Sequence, residues 1–152
     1  MTLRARLPDV RLTVLRSSKI GVIGVGEGTT ASVPPFLHGN LDIDPARFFA
    51  EVNPTWKLGV RFLWGPEDFN YSFQRQLSLT SPKLSQTCAY YCLDSLRDSD
   101  QCAALMDRDK AFVRKPSGAP QITRASAYHL ENERCAAFLA GLATERGVGV
   151  RA

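Results

Sequence analysis

Near both ends of this chain a helical stretch runs directly into a short β-rich stretch, and that alternation restricts the fold more than any other feature. Thr2 to Leu7 reads as the last turns of a helix feeding Arg11 to Leu15 (RLTVL), which is bounded by Pro8-Asp9 and Ser17-Ser18 and predicts a buried strand. Towards the other end, Glu131 to Arg146 is the clearest helix. Cys135, Phe138, Leu139 and Leu142 form its apolar stripe, and Gly147 stands at its C-terminal stop. Val148 to Arg151 then begins a strand. Strands separated by helices predict an α/β layer with a partly parallel sheet. Sheets of that kind bind ligands at the carboxyl ends of their strands.

A glycine cluster lies where such a ligand would sit. Lys19 to Val25 (KIGVIGV) predicts a second extended piece, and Gly24, Gly26 and Gly28 then surround Glu27 in GVGEGTT. Glycines this dense mark a loop with unusual backbone angles, or one lying against another surface. The loop is no Walker motif, because it lacks the G-K-[ST] ending. Nor is it a dinucleotide G-x-G-x-x-G: the third glycine is misplaced, and Glu27 would repel a pyrophosphate. A tight structural turn and a ligand loop both remain open on these residues alone.

Between the two ends, a helix is predicted after Thr30 and Ser32, with Pro34 and Pro35 near its first turn and an end near Gly39. Asp44 reads as the N-cap of another helix, with Pro45 at its first position, Phe48, Phe49 and Val52 as its apolar residues, and Asn53-Pro54 as its stop. Thr55 to Trp64 (TWKLGVRFLW) alternates and predicts one half-buried strand, with Trp56, Leu58, Val60, Phe62 and Trp64 on its apolar face. Lys57 sits on the opposite face. Lysines in strands are ordinarily solvated, so its position alone assigns it no chemistry. Further on, Tyr71 and Phe73 suggest a short strand, Ser85 to Leu96 and Asp100 to Phe112 read as helices, Lys115 to Pro120 as a loop, and Ser126 to Leu130 as a strand.

Composition excludes several classes. No apolar run approaches the roughly 18 residues of a membrane span, and the arginines near Met1 lead into no apolar signal segment, so a cytoplasmic location is expected. The net charge of +4 comes from scattered basic residues rather than a block. That argues against nucleic acid and suits an anionic small molecule. Cys88, Cys92, Cys102 and Cys135 match no zinc spacing, and His38 and His129 lie far from them in sequence. Reduced, buried thiols and no metal site are expected. His129 reads as structural, and Trp56 and Trp64 as core residues.

The motifs together resemble one family. Ile23 to Thr30 (IGVGEGTT) resembles the IGVGEAT signature of flavin-dependent tryptophan halogenases. Asn53 to Gly65 (NPTWKLGVRFLWG) resembles that family's N-x-x-[FYW]-K segment, at a fitting distance beyond Glu27. Ala127 to Val150 looks like its Y-H-[FL]-D helix and following strand, and Ala5 to Glu27 like the end of the first Rossmann helix and the second strand. The resemblance covers nearly the whole chain; order and spacing make it specific.

The resemblance implies an α/β, partial Rossmann-like, monooxygenase-type FAD-binding fold with part of an appended substrate region. About 1–30 and 122–152 would be Rossmann-like elements of one partial domain, and about 31–121 an inserted region of helices and strands. It implies an oxidoreductase that uses FAD, as FADH2 from a partner reductase, with oxygen and chloride or bromide to make hypohalous acid. The acid would halogenate an aromatic indole, phenol or pyrrole substrate through an active-site lysine. Lys57 is the residue carried over for that role. An ammonium hydrogen-bonds and polarises hypohalous acid, and a desolvated amine is a nucleophile. Val25, Gly26, Glu27, Gly28, Thr29 and Thr30 match the loop that straps the flavin. Arg16 stands where an acidic residue often holds the adenosine ribose, and it is carried over as a donor to a hydroxyl or phosphate oxygen. The family's first strand and glycine-rich FAD loop are expected before Met1, and its halide site and catalytic glutamate beyond Ala152. The chain therefore reads as a fragment that is inactive and does not hold FAD tightly by itself. The alternatives are a fragment of a related non-halogenating flavin monooxygenase or reductase, and a non-enzymatic remnant.

Overall fold

The structure, a computed structural model, describes residues 2–7, 9–17, 19–21, 24, 26–63, 68–74, 100–122 and 124–151. In chain order its elements are α1 (Thr2–Arg6), β1 (Thr13–Leu15), β2 (Glu27–Gly28), α2 (Val33–Pro35) and a π-helix (Phe36–Asn40). Then come α3 (Pro45–Val52), β3 (Thr55–Lys57), β4 (Gly59–Phe62), β5 (Phe69–Ser72) and α4 (Gln101–Asp107). β6 (Val113–Arg114), β7 (Pro120–Gln121), β8 (Ala127–Leu130), α5 (Asn132–Glu145) and β9 (Gly149–Arg151) complete the order. The chain forms two units, Met1–Thr55 with Tyr128–Ala152, and Trp56–Ala127.

In the first unit, α3 begins and ends on local chemistry. The Asp44 carboxylate accepts the Arg47 N–H at 2.7 Å, and Pro45 occupies the first turn, where a missing N–H costs nothing. Asn53 adopts a left-handed φ of 53° and donates its N–H to the Phe49 carbonyl, which closes the helix. α5 is built likewise: the Glu131 carboxylate accepts the N–H groups of Glu133 and Arg134 at 2.9 and 2.7 Å, and Gly147 at φ 74° lies just past its end. The two helices pack through Phe48 and Phe138, whose rings meet edge-on at 5.6 Å. Arg47 forks onto Glu145 at 2.8 and 2.7 Å and covers the Phe138 ring. Arg146 at the end of α5 donates to the Leu41 carbonyl at 2.6 Å. Phe48, Val52, Leu37, Leu41, Ile43, Tyr128, Phe138, Leu142 and Val148 form the buried core of this unit.

β1 and β9 pair in parallel, with Thr13 opposite Gly149 and Leu15 opposite Arg151, as the alternation of helices and strands predicts. Burial of β1 does not hold. All three of its residues are exposed, Leu15 at 79%. Parallel strands are buried when layers cover both faces, and among the described residues β1 has a single neighbouring strand. Of the second extended piece, Val22, Ile23 and Val25 lie outside the described residues, and the described ones form no strand. Lys19 and Ile20 lie in a bend, where the Ser17 hydroxyl oxygen accepts both their N–H groups at 3.1 and 3.2 Å. The helix expected after Thr30 forms, but past Pro35 it widens into the π-helix, a departure that local sequence does not announce.

In the second unit the single strand expected over Thr55 to Trp64 is two strands broken at Leu58. The break has a packing cause. Leu58 turns into a core with Cys102 and Leu105, and its carbonyl accepts the Phe73 N–H at 2.8 Å. Gly59 then lets β4 press onto β5: a Cβ there would lie 2.3 Å from the Tyr71 carbonyl oxygen and 2.8 Å from Ser72 Cα. β4 and β5 run antiparallel, with Phe62 stacked on its register partner Phe69 at 5.1 Å. Asp100 caps α4 by accepting the Ala103 N–H at 2.9 Å, and its other oxygen accepts the Ser72 hydroxyl. Asn70, 2% exposed, donates to the Ala103 carbonyl at 3.3 Å and accepts from Arg61 at 3.2 Å. α4 stops at Asp107, short of the expected Phe112, and Asp109 takes a left-handed φ of 51°. The expected loop at Lys115 to Pro120 is the tip of the β6–β7 hairpin, with Pro120 already in β7. The expected helix at Ser85 to Leu96, with Cys88 and Cys92, lies outside the described residues, as does Trp64. No helix among the described residues is long and apolar enough to cross a membrane.

Candidate functional site

The glycine loop is shaped by what it touches in its own unit. Gly24 adopts φ 94°, and a Cβ there would lie 3.2 Å from the Asn132 side-chain nitrogen. A Cβ on Gly26 would stand 3.0 Å from the Leu130 carbonyl oxygen. Both glycines are therefore required by the loop's own seat beside β8 and the start of α5. Glu27 and Gly28 form β2, antiparallel to Leu130 and His129. Thr29 is held by three hydrogen bonds to the main chain of Tyr128. Its N–H and its hydroxyl both donate to the Tyr128 carbonyl, at 2.8 and 3.1 Å, and its hydroxyl oxygen accepts the Tyr128 N–H at 2.9 Å. The Thr30 and Ser32 hydroxyls lie 2.8 Å apart as the chain enters α2. With that side fastened, Gly24, Gly26, Glu27, Gly28 and Thr30 remain exposed. Val25 lies outside the described residues.

Behind the loop sits a polar pair that sequence reasoning did not single out. His38, on the π-helix, places Nδ1 2.8 Å from the Ile43 carbonyl oxygen and Nε2 3.0 Å from the Tyr128 hydroxyl. Its ring meets the buried Phe48 edge-on at 5.4 Å. Burial pushes the Tyr128 phenol above its ordinary value, so it stays a protonated donor at neutral pH. Strand alternation decides which residue of the Tyr128-His129 step faces inward: Tyr128 is 3% exposed and His129 is exposed. Sequence drew attention to the histidine of that step. The buried tyrosine was legible only from the side of the strand that faces the core.

Lys57 ends β3 in the second unit, half-buried, with Nζ 5.3 Å from the centre of the Phe73 ring. A cation over an aromatic face is partly desolvated and held in place. No carboxylate pairs with it among the described residues. Arg16 is exposed, one residue past β1, and its N–H donates at 2.8 Å to the carbonyl of Arg151, the last residue of β9. Cys102 is buried and Cys135 half-buried, and the Cys135 thiol is raised above its usual range first by desolvation and then by the Glu131 carboxylate. Among the described residues no His, Cys, Asp or Glu cluster has the makings of a metal site.

The profile of the tryptophan halogenase family matches residues 1–152. The chain belongs to the tryptophan halogenase family. A curated member, the 7-chloro-L-tryptophan 6-halogenase KtzR of Kutzneria sp. (strain 744), is 41% identical over 51 residues, 34% of this chain and 10% of KtzR. Among solved halogenases, the tryptophan 5-halogenase MibH matches with a TM-score of 0.80 at 34% identity, over 99% of this chain and 29% of its own. The tryptophan 6-halogenase SttH of Streptomyces toxytricini matches with a TM-score of 0.77 at 26% identity, over 99% of this chain and 34% of its own. A flavin-dependent halogenase from Xanthomonas campestris gives 0.75 at 25% identity, over 98% and 31%. This halogenase-family chain thus spans about a third of the length of the solved relatives it matches. Its fold class is the α/β, Rossmann-like FAD-binding fold of those halogenases.

Proposed function

We propose that this chain carries the flavin-side loop and the working lysine of an FAD-dependent halogenase. The observation that carries the proposal is Lys57, half-buried with its amine on the face of Phe73, within a chain that matches the family from end to end. Such an amine keeps N–H donors available while losing part of its hydration. It would donate to the oxygen of hypohalous acid and turn the halogen towards an aromatic ring, or, once deprotonated, attack the halogen so that the halogen–oxygen bond breaks, a haloamine forms and water leaves.

The glycine loop fits a flat cofactor. It leaves main chain exposed at Gly24, Gly26 and Gly28, while Gly24 and Gly26 seat its other side against Asn132 and Leu130. Val25 to Thr30 would hold FAD, and Arg16 would donate to a ribose hydroxyl or phosphate oxygen beyond the ends of β1 and β9. Bound there, reduced FAD would supply the electrons with which oxygen converts chloride or bromide to hypohalous acid. Where relatives carry names that specify a substrate, the reaction is on tryptophan at position 5 or 6. An indole-type aromatic substrate is therefore proposed, with a flavin reductase as the source of FADH2.

The test is Lys57→Ala in a chain of the relatives' full length carrying this sequence, supplied with FADH2, oxygen, chloride and an indole substrate. Halogenated product by mass spectrometry is expected to disappear while FADH2 oxidation and peroxide release continue. Chlorination at the unsubstituted rate would end the role proposed for Lys57.

A further inference from the structure

We propose that His38 and Tyr128 are positioning residues for the glycine loop, through a closed circuit of hydrogen bonds that fixes where the loop leaves β2. The circuit is traced residue by residue. Thr29 is gripped by the Tyr128 main chain through three hydrogen bonds. From Thr29 the chain passes through Thr30, whose carbonyl accepts the Val33 N–H at 3.0 Å, into α2 and the π-helix. The π-helix carries His38 back to the Tyr128 hydroxyl at 3.0 Å. Both ends of the loop-to-helix segment therefore close on one residue, by its backbone at Thr29 and by its phenol at His38.

The direction of each bond follows from the donors available. A carbonyl oxygen only accepts, so the proton on a neutral His38 must sit on Nδ1, which faces Ile43. Nε2 is then left with its lone pair and accepts the phenolic O–H of Tyr128. Free imidazole carries no such fixed order; here the tautomer is imposed. Phe48, fully buried, backs both rings, at 5.4 Å from His38 and 5.6 Å from Tyr128. The sheet contact between β2 and β8 is only two residues long. A ladder that short does not hold register by itself, which is why the side-chain closure matters for Gly26 to Thr30.

The inference rests on the reading of this loop as the flavin-side loop, but the circuit is measured without flavin. Amide hydrogen exchange is followed on the 152-residue chain and on Tyr128→Phe, His38→Leu and His38→Gln. Tyr128→Phe keeps the ring and removes only the hydroxyl. His38→Gln offers one acceptor to the phenol and one donor to the Ile43 carbonyl. Exchange at Thr29 is expected to rise roughly tenfold in Tyr128→Phe and His38→Leu, the order one neutral hydrogen bond supports. The Leu142 amide of α5 is expected to change less than about twofold, and His38→Gln to restore most of the Thr29 protection. A 15N spectrum of the unsubstituted chain is expected to show the Nδ1–H tautomer. Unchanged Thr29 exchange in both variants overturns the proposal. So does an equal rise at Thr29 and Leu142, which would make the pair a part of general core stability. Loss of the Lys57 role would leave these exchange rates as they are, so the two readings fail separately.

Discussion

Phe48 is where the first unit has most to lose. It is fully buried, and its ring sits among those of His38 at 5.4 Å, Tyr128 at 5.6 Å, Phe138 at 5.6 Å and Phe49 at 6.4 Å. Phe48→Ala removes the ring and leaves a cavity that rigid aromatic neighbours fill poorly. Such truncations cost about 3–5 kcal/mol, and edge-on ring pairs add about 0.5–1.5 kcal/mol each beyond area, so the upper part of that range is expected. A domain is typically stable by about 5–15 kcal/mol, so the loss would take a large share of the total. Urea unfolding followed by far-ultraviolet circular dichroism reads it as a lower midpoint at nearly constant slope. Phe49→Ala, on the same helix but only half-buried, supplies the comparison and is expected to cost about half as much or less. A loss below about 1 kcal/mol for Phe48→Ala, or equal losses at both positions, would refute the assignment of Phe48 as the centre of this core.

Other perturbations test other parts of the fold. Gly59→Ala drives a methyl group into the Tyr71 carbonyl, so a loss of about 1–3 kcal/mol in thermal unfolding is expected; a neutral result would contradict the close approach of β4 to β5. Asp44→Ala removes the acceptor of the Arg47 N–H and is expected to cost about 1 kcal/mol, most of it recovered by Asp44→Ser. The Glu131 carboxyl is held below the ordinary carboxylate value by the N–H groups of Arg134 and Glu133. A depressed folded value means that its stabilisation is present above the unfolded value and is lost as pH falls through the folded one. The difference in melting temperature between the unsubstituted chain and Glu131→Gln should accordingly shrink on acidification. A difference that grows towards acid would reverse the assigned sign.

Two parts of the candidate site carry a signal in the sequence. Gly24 and Gly26 announced a backbone under constraint, and the constraint proved to be contact with Asn132 and Leu130. The sequence could not say which partner required them, because both partners come from the far end of the chain. Lys57 was legible as an anomaly, a charge in an oily strand; its resting place over Phe73 was not. His38, a lone histidine in a proline-led helix, carries no local signal. Its two partners, Ile43 and Tyr128, are a near one and a remote one.

The sequence by itself determined the ends of α3 and the stop of α5, because caps act over three or four residues and Asp44, Pro45, Asn53 and Gly147 carry that chemistry wherever they stand. It also determined the family, because the order of motifs along the chain survives any uncertainty in folding. Tertiary structure alone decided that Leu58 breaks its strand, that β1 stays exposed beside β9, and that the helix after Pro35 widens to bring His38 to Tyr128. Each of these depends on which distant surface a residue meets, and a distant surface exists only once the chain has closed on itself.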